Sequence, residues 1–271
     1  MRFGILGKAI CLVGVVGLVP AVFTAEAAVT LTSGNSTLAI DTGSSAGAYN
    51  WTVDGTNQLY QQWFWYRIGA AGPESSIDAL STANVQMLGA DMARITYTGA
   101  SLKVEVTYML NGGSEGSHQS DVGESIRLTN LTASSMDLHF FQYSDFDLGN
   151  TVNDDTVTLV YPGKVRQADG PGGLELSETS VIAAPGHYEL GFFANTLNKL
   201  NDANPTTLSD GATTLGPGDV TWAFEWDPTL AGNGTYLISK DKMMEPVPEP
   251  ATLVLLAGGA MSLLLRRRRA K

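Results

Sequence analysis

Carboxylates crowd most densely in one stretch, Asp145-Phe146-Asp147-Leu148-Gly149-Asn150-Thr151-Val152-Asn153-Asp154-Asp155. Hard cations take several oxygen ligands from carboxylates and amides. Asp145 and Asp147, followed by a glycine turn and then Asp154 and Asp155, therefore make a candidate calcium loop. No glutamate closes the loop as an EF-hand requires. The competing reading is a solvated turn whose Asx side chains satisfy their own backbone. A second candidate is Gln61-Gln62-Trp63-Phe64-Trp65-Tyr66-Arg67, where strand alternation puts Trp63 and Trp65 on one face. On an exposed sheet those two rings would be a platform for sugar rings; on a central strand they would be core, as aromatic side chains usually are.

Other patterns imitate catalytic motifs. Asp41-Thr42-Gly43-Ser44-Ser45 resembles one loop of an aspartic protease, but that chemistry needs two aspartates sharing a proton, and the body contains no second such loop. Gly43-Ser44-Ser45-Ala46-Gly47 and Gly112-Gly113-Ser114-Glu115-Gly116 both satisfy G-x-S-x-G, a pattern that works only where a strand feeds a helix, and neither is followed by a helical pattern. His118, His139 and His187 are far apart in sequence and show no short metal-binding spacing, so they read as ordinary residues unless folding gathers all three around zinc. No catalytic residue is assigned, and the body reads as non-enzymatic.

The elements that would position these residues are strands. Leu102-Lys103-Val104-Glu105-Val106-Thr107-Tyr108-Met109-Leu110 alternates strictly, with Leu102, Val104, Val106, Tyr108 and Leu110 on one face. Similar runs cover 94–98, 125–129, 136–143, 156–160, 187–193, 220–226 and 236–239, divided by turns rich in Gly, Asn, Asp and Pro. Trp222, Phe224 and Trp226 share one face and read as core, with Ala223 and Glu225 opposite. Only 75–80 and 195–200 offer a helical turn. The expected fold is all-β, an antiparallel β-sandwich body over 28–238, followed by a linker over 239–246.

The two ends carry the address. Residues 1–27 have Arg2 and Lys8, then an apolar stretch, then Ala25-Glu26-Ala27 with small residues at the cleavage positions, the pattern of a secretory signal peptide cut after Ala27. Residues 247–271 hold Val247-Pro248-Glu249-Pro250, an uncharged run over 251–265, and Arg266, Arg267, Arg268 and Arg269. As a helix that run reaches about 22 Å, short of a hydrocarbon core of about 30 Å, so it spans a membrane only by thinning it. The arginines stay on the cytoplasmic side and leave the body on the other.

A Pro-Glu-Pro motif, a short apolar helix and a terminal arginine cluster in that order resemble the PEP-CTERM sorting signal of exported bacterial proteins. The resemblance is confined to 247–271. It implies recognition by an exosortase, removal of the tail near Pro248-Glu249-Pro250, and a setting of exopolysaccharide production. It also implies export through the Sec machinery, an inner-membrane intermediate held by the C-terminal helix, and delivery to the cell surface or outside the cell.

The single cysteine, Cys11, leaves with the signal peptide, so the mature body has no disulfide, no catalytic thiol and no thiolate metal ligand. Between Ala28 and Val247, nine basic residues remain against 25 acidic ones, a net charge of −16. Such a body is repelled by nucleic acid and meets anionic polysaccharide only across bridging cations. The sequence therefore reads as an exported surface or matrix protein with a structural or adhesive body associated with exopolysaccharide and biofilm. A carbohydrate-binding module or polysaccharide-active enzyme is the alternative.

Overall fold

The computed structural model describes residues 28–170 and 173–247. The expected signal peptide with Ala25 and Ala27, the Pro248-Glu249-Pro250 motif, the apolar run 251–265 and Arg266 to Arg269 lie outside the described residues. Among the described residues, no helix is long and apolar enough to cross a membrane.

Two antiparallel sheets make up the body. The first runs, edge to edge, Val29–Ser33, Ser36–Ile40, Ala48–Val53, Leu59–Ile68, Met136–Phe146, Val220–Trp226 and His187–Phe192. The second runs Thr214–Gly218, Asp155–Tyr161, Lys164–Ala168, Leu174–Ile182, Thr235–Pro246, Ser120–Asn130, Leu102–Gly112, Met92–Thr98 and Asn84–Met87. All strands predicted from alternation are present, and both short helical turns form, as Ile77–Ala79 and Asn195–Leu200. The expected sandwich is thus the observed architecture.

Alternation explains why the sheets face each other. Leu102, Val104, Val106, Tyr108 and Leu110 are all buried, while Lys103, Glu105 and Thr107 between them are half-exposed. From the first sheet, Phe64 stacks on Phe140 at 5.6 Å and Phe146 on Trp222 at 5.3 Å. Trp222 Nε1 donates to Glu178 Oε2 at 3.0 Å and Trp51 Nε1 to Ser120 Oγ at 3.0 Å, so the sheets are joined by hydrogen bonds as well as by apolar packing. Buried indole N–H groups need such acceptors.

The segment 239–246, expected as a linker, is instead the C-terminal part of the strand Thr235–Pro246, which lies between Ser120–Asn130 and Leu174–Ile182 in the interior of the second sheet. Its Lys240 and Lys242 look like surface residues in sequence, but both are buried against Glu124 and Glu178. Two lysines within three residues conceal a strand whose burial depends on partners elsewhere in the chain.

The other face of the first sheet is covered too. Register places His139 opposite Arg67, Phe141 opposite Trp65 and Tyr143 opposite Trp63, and on the far side Phe141 opposite Glu225. Residues 195–208 lie over this face: Trp65 Nε1 donates to Asn201, Arg67 to the Thr206 carbonyl, and the Leu208 N–H to Glu225 Oε2. The central strands are therefore buried on both sides.

Candidate cation and ligand site

Asp145 is the penultimate residue of Met136–Phe146, where a register shift between Asp145 and Phe146 ends the regular ladder. Asp147 follows at once, and its N–H is held by the Gln58 carbonyl at 3.1 Å. Asp219 comes from the turn before Val220–Trp226, and its carbonyl accepts the Phe193 N–H at 3.0 Å. The three carboxylates converge, each offering an oxygen within 4.8 Å of the others.

These aspartates line a cavity of about 200 Å³ together with Tyr60, Val152 and Phe193. Tyr60 and Phe193 are about half exposed and meet edge to face at 5.7 Å, forming an aromatic wall above the acids. Asp145 itself is buried. Its Oδ2 accepts from the Tyr143 hydroxyl at 3.1 Å, while Oδ1 has no hydrogen-bond partner among the described residues. Burial, then the charges of Asp219 and Asp147, push the Asp145 carboxyl up to about 8. Burial and Asp219 also raise Asp147, and burial raises Asp219. Three carboxylates driven toward protonation by one another are relieved when a cation sits among them, because its charge offsets their repulsion.

The predicted loop is divided by the fold. Asp154 and Asp155 turn away and group with Asp169. Asp155 caps the local backbone instead: its Oδ2 accepts the Leu148 N–H at 3.1 Å and Gln167 Nε2 at 2.6 Å. Asp145 and Asp147 thus keep a common site, joined by Asp219, which lies too far along the chain for a loop motif to find. Its only sequence signal is a carboxylate immediately before a strand.

Trp63 and Trp65 are not a platform. Their exposures are 1% and 0%, and their N–H groups are engaged by Ser76 and Asp78, and by Asn201, respectively. A central strand covered on both faces leaves no room for a sugar ring. The aspartic-protease look-alike is a turn in which Asp41 Oδ1 accepts the Gly43 N–H and Oδ2 the Ser44 hydroxyl. Gly112 ends one strand and Gly113 to Gly116 lie in the connection to the next, with no helix after them. His118 pairs with Asp54 in a turn, whereas His139 and His187 come together on either side of Asp227.

No curated protein matches the chain by sequence. Solved structures of similar fold include a bacterial glucoamylase complexed with acarbose, with a TM-score of 0.57 and 8% identity over 85% of this chain and 34% of that one. A putative aldose 1-epimerase from Escherichia coli gives a TM-score of 0.57 and 10% identity over 82% of this chain and 99% of that one. An aldose epimerase homologue from C. elegans gives 0.52 and 8% over 83% and 100%. The chain spans about a third of the glucoamylase's length. At these identities the likeness is one of fold. Residues 246–269 match the PEP-CTERM protein-sorting motif, which overlaps the end of the last strand. The chain therefore carries the PEP-CTERM sorting signal, which implies an exported protein, anchored in the membrane before an exosortase processes it.

Proposed function

We propose that the exported body is a non-enzymatic structural or adhesive module of the cell surface or extracellular matrix that holds exopolysaccharide in the Tyr60–Phe193 cavity across a calcium ion. The observation that carries this reading is an exposed aromatic pair standing over three converging carboxylates. Aromatic faces take the C–H faces of sugar rings. Calcium accepts six to eight oxygens and would leave positions for sugar hydroxyls or uronate carboxylates beyond those Asp145, Asp147 and Asp219 supply. A body of net charge −16 needs such a bridge to approach an anionic polymer. Similarity of fold to a bacterial glucoamylase and to aldose epimerases is consistent with it.

Co-sedimentation of the full chain with exopolysaccharide from its host, with calcium and with a chelator, tests the reading. Binding should require calcium, and Tyr60→Ala or Phe193→Ala should weaken it about tenfold, the worth of one stacked ring. Binding that survives both the chelator and the loss of the rings would overturn it.

The three converging carboxylates also suit a polysaccharide-active enzyme. Asp145, pushed up to about 8, would be protonated at neutral pH next to other carboxylates, as a general acid for glycosidic cleavage must be. Release of reducing ends from the host polymer by the protein, abolished in Asp145→Asn, would replace the adhesive reading.

A further inference from the structure

A second group of potential ligands lies on the covered face of the first sheet, near the end opposite Asp145. His139, Glu225 and Asp227 come from the neighbouring strands Met136–Phe146 and Val220–Trp226 and from the residue just beyond the latter. His139 Nδ1 lies 2.5 Å from Asp227 Oδ1 and 3.6 Å from Glu225 Oε1. One ligand atom from each of the three falls within 4.8 Å of the others.

His187, on the strand flanking Val220–Trp226, brings Nε2 to 3.9 Å from Asp227 Oδ2. Its Nδ1 is 2.5 Å from Asp210 Oδ2, and the same aspartate's Oδ1 accepts the Tyr188 N–H at 2.9 Å. Asp210 is thus fixed by the backbone and orients the imidazole with Nε2 inward. A carboxylate holding the outer nitrogen of a histidine is the usual support of a metal ligand.

Glu225 supplies the independent sign of a missing ligand. Its side chain is wholly buried; Oε2 accepts the Leu208 N–H at 2.8 Å, but among the described residues Oε1 accepts no hydrogen bond, and it faces the Asp227–His139 pair. A buried carboxylate oxygen without a donor is costly. A dication among these atoms would remove that cost and the repulsion between Glu225 and Asp227 together.

We propose that Glu225, Asp227 and His139 bind a first-row divalent ion of the zinc class, with His187 as a further ligand oriented by Asp210. Two imidazoles with carboxylates suit borderline transition ions, whereas calcium and magnesium prefer oxygen alone. The site is separate from the all-carboxylate group at Asp145, Asp147 and Asp219, and it does not depend on polysaccharide binding.

The full chain, stripped with a chelator and then held in excess calcium to fill the oxygen-only site, is titrated with zinc by calorimetry and with cobalt(II) by visible absorption. The expected result is one tight site and a cobalt spectrum of low-coordinate, imidazole-bearing character. Glu225→Gln keeps the shape and the Leu208 contact and should weaken zinc about 100-fold; Asp210→Asn removes no ligand but loosens the support of His187, and should weaken it about 10- to 100-fold. His118→Ala should change nothing. No stoichiometric zinc binding to a parent chain with native near-ultraviolet circular dichroism overturns the proposal, as does binding unchanged in both Glu225→Gln and His139→Ala. Loss of calcium-dependent polysaccharide binding with zinc binding intact would count against the adhesive reading alone.

Discussion

Lys240 Nζ lies 3.2 Å from Glu178 Oε1, with both side chains fully buried between the sheets. The same ammonium is 2.5 Å from Glu124 Oε2 and donates to Gln142 of the opposite sheet, while Lys242 lies 2.6 Å from Glu124 Oε1. Two lysines and two glutamates form a charge-balanced network in the core. Despite its burial, Glu178 is held below the usual carboxylate range by Lys240, then Lys242, and by hydrogen bonds from Gln142 and Trp222.

Removing one member leaves its partners charged and buried. Lys240→Met should therefore destabilise the body by about 3–5 kcal/mol in urea unfolding. A loss under about 1 kcal/mol would show that water reaches the network and screens it.

The C-terminal boundary follows from the same strand. A chain ending at Val247 keeps Thr235–Pro246 whole, with the Val247 N–H still on the Gly173 carbonyl, and should fold like the parent. One ending at Ile238 loses Lys240 and Lys242 from between two strands and should be unfolded by circular dichroism. Equal folding of the two chains would restore 239–246 as a linker.

Intact mass of protein recovered from the host envelope and medium should give an N-terminus at Ala28 and a C-terminus near Pro248-Glu249-Pro250, just past that strand. Retention of Arg266 to Arg269 on all recovered protein would make the tail a plain anchor.

Stability should fall as pH rises. Burial, then Asp241, push Asp121 up to about 7; burial pushes Asp155 up to about 7. Burial first, then neighbouring acids, push Asp145 up to about 8, and burial and Asp227 push Glu225 to about 8. Each acid holds its proton more tightly folded than unfolded, so its contribution is lost as pH climbs from the ordinary carboxylate range through these values. Without divalent ions the melting temperature should drop between about pH 5 and about pH 8, and calcium should restore part of it at the upper end. Asp121→Asn should make the slope shallower. A flat or rising profile would contradict this.

All five tryptophans, Trp51, Trp63, Trp65, Trp222 and Trp226, are at most 1% exposed. Iodide should barely quench their fluorescence, and oligosaccharide should leave the tryptophan emission unchanged while Tyr60→Ala alters binding. Strong iodide quenching in the folded chain would return Trp63 and Trp65 to consideration as a sugar platform.

The sequence by itself determined whatever is local or periodic. Alternation in Leu102 to Leu110 fixed a strand and its buried face, because neighbouring side chains in extended backbone point to opposite sides. The sorting signal was legible because its motif, apolar run and arginines are contiguous. Tertiary structure decided everything that depends on which strands are neighbours. Trp63 and Trp65 carry the same alternation whether or not 195–208 covers them, so only the fold made them core. Lys240 and Lys242, in the stretch expected as a linker, are buried because Glu124 and Glu178, over 60 residues away, supply the opposite charges. Asp219 joined Asp145 and Asp147, and Asp227 came to lie between His139 and His187, because antiparallel pairing brings distant positions into register, and the spacing of residues along one strand does not encode that pairing.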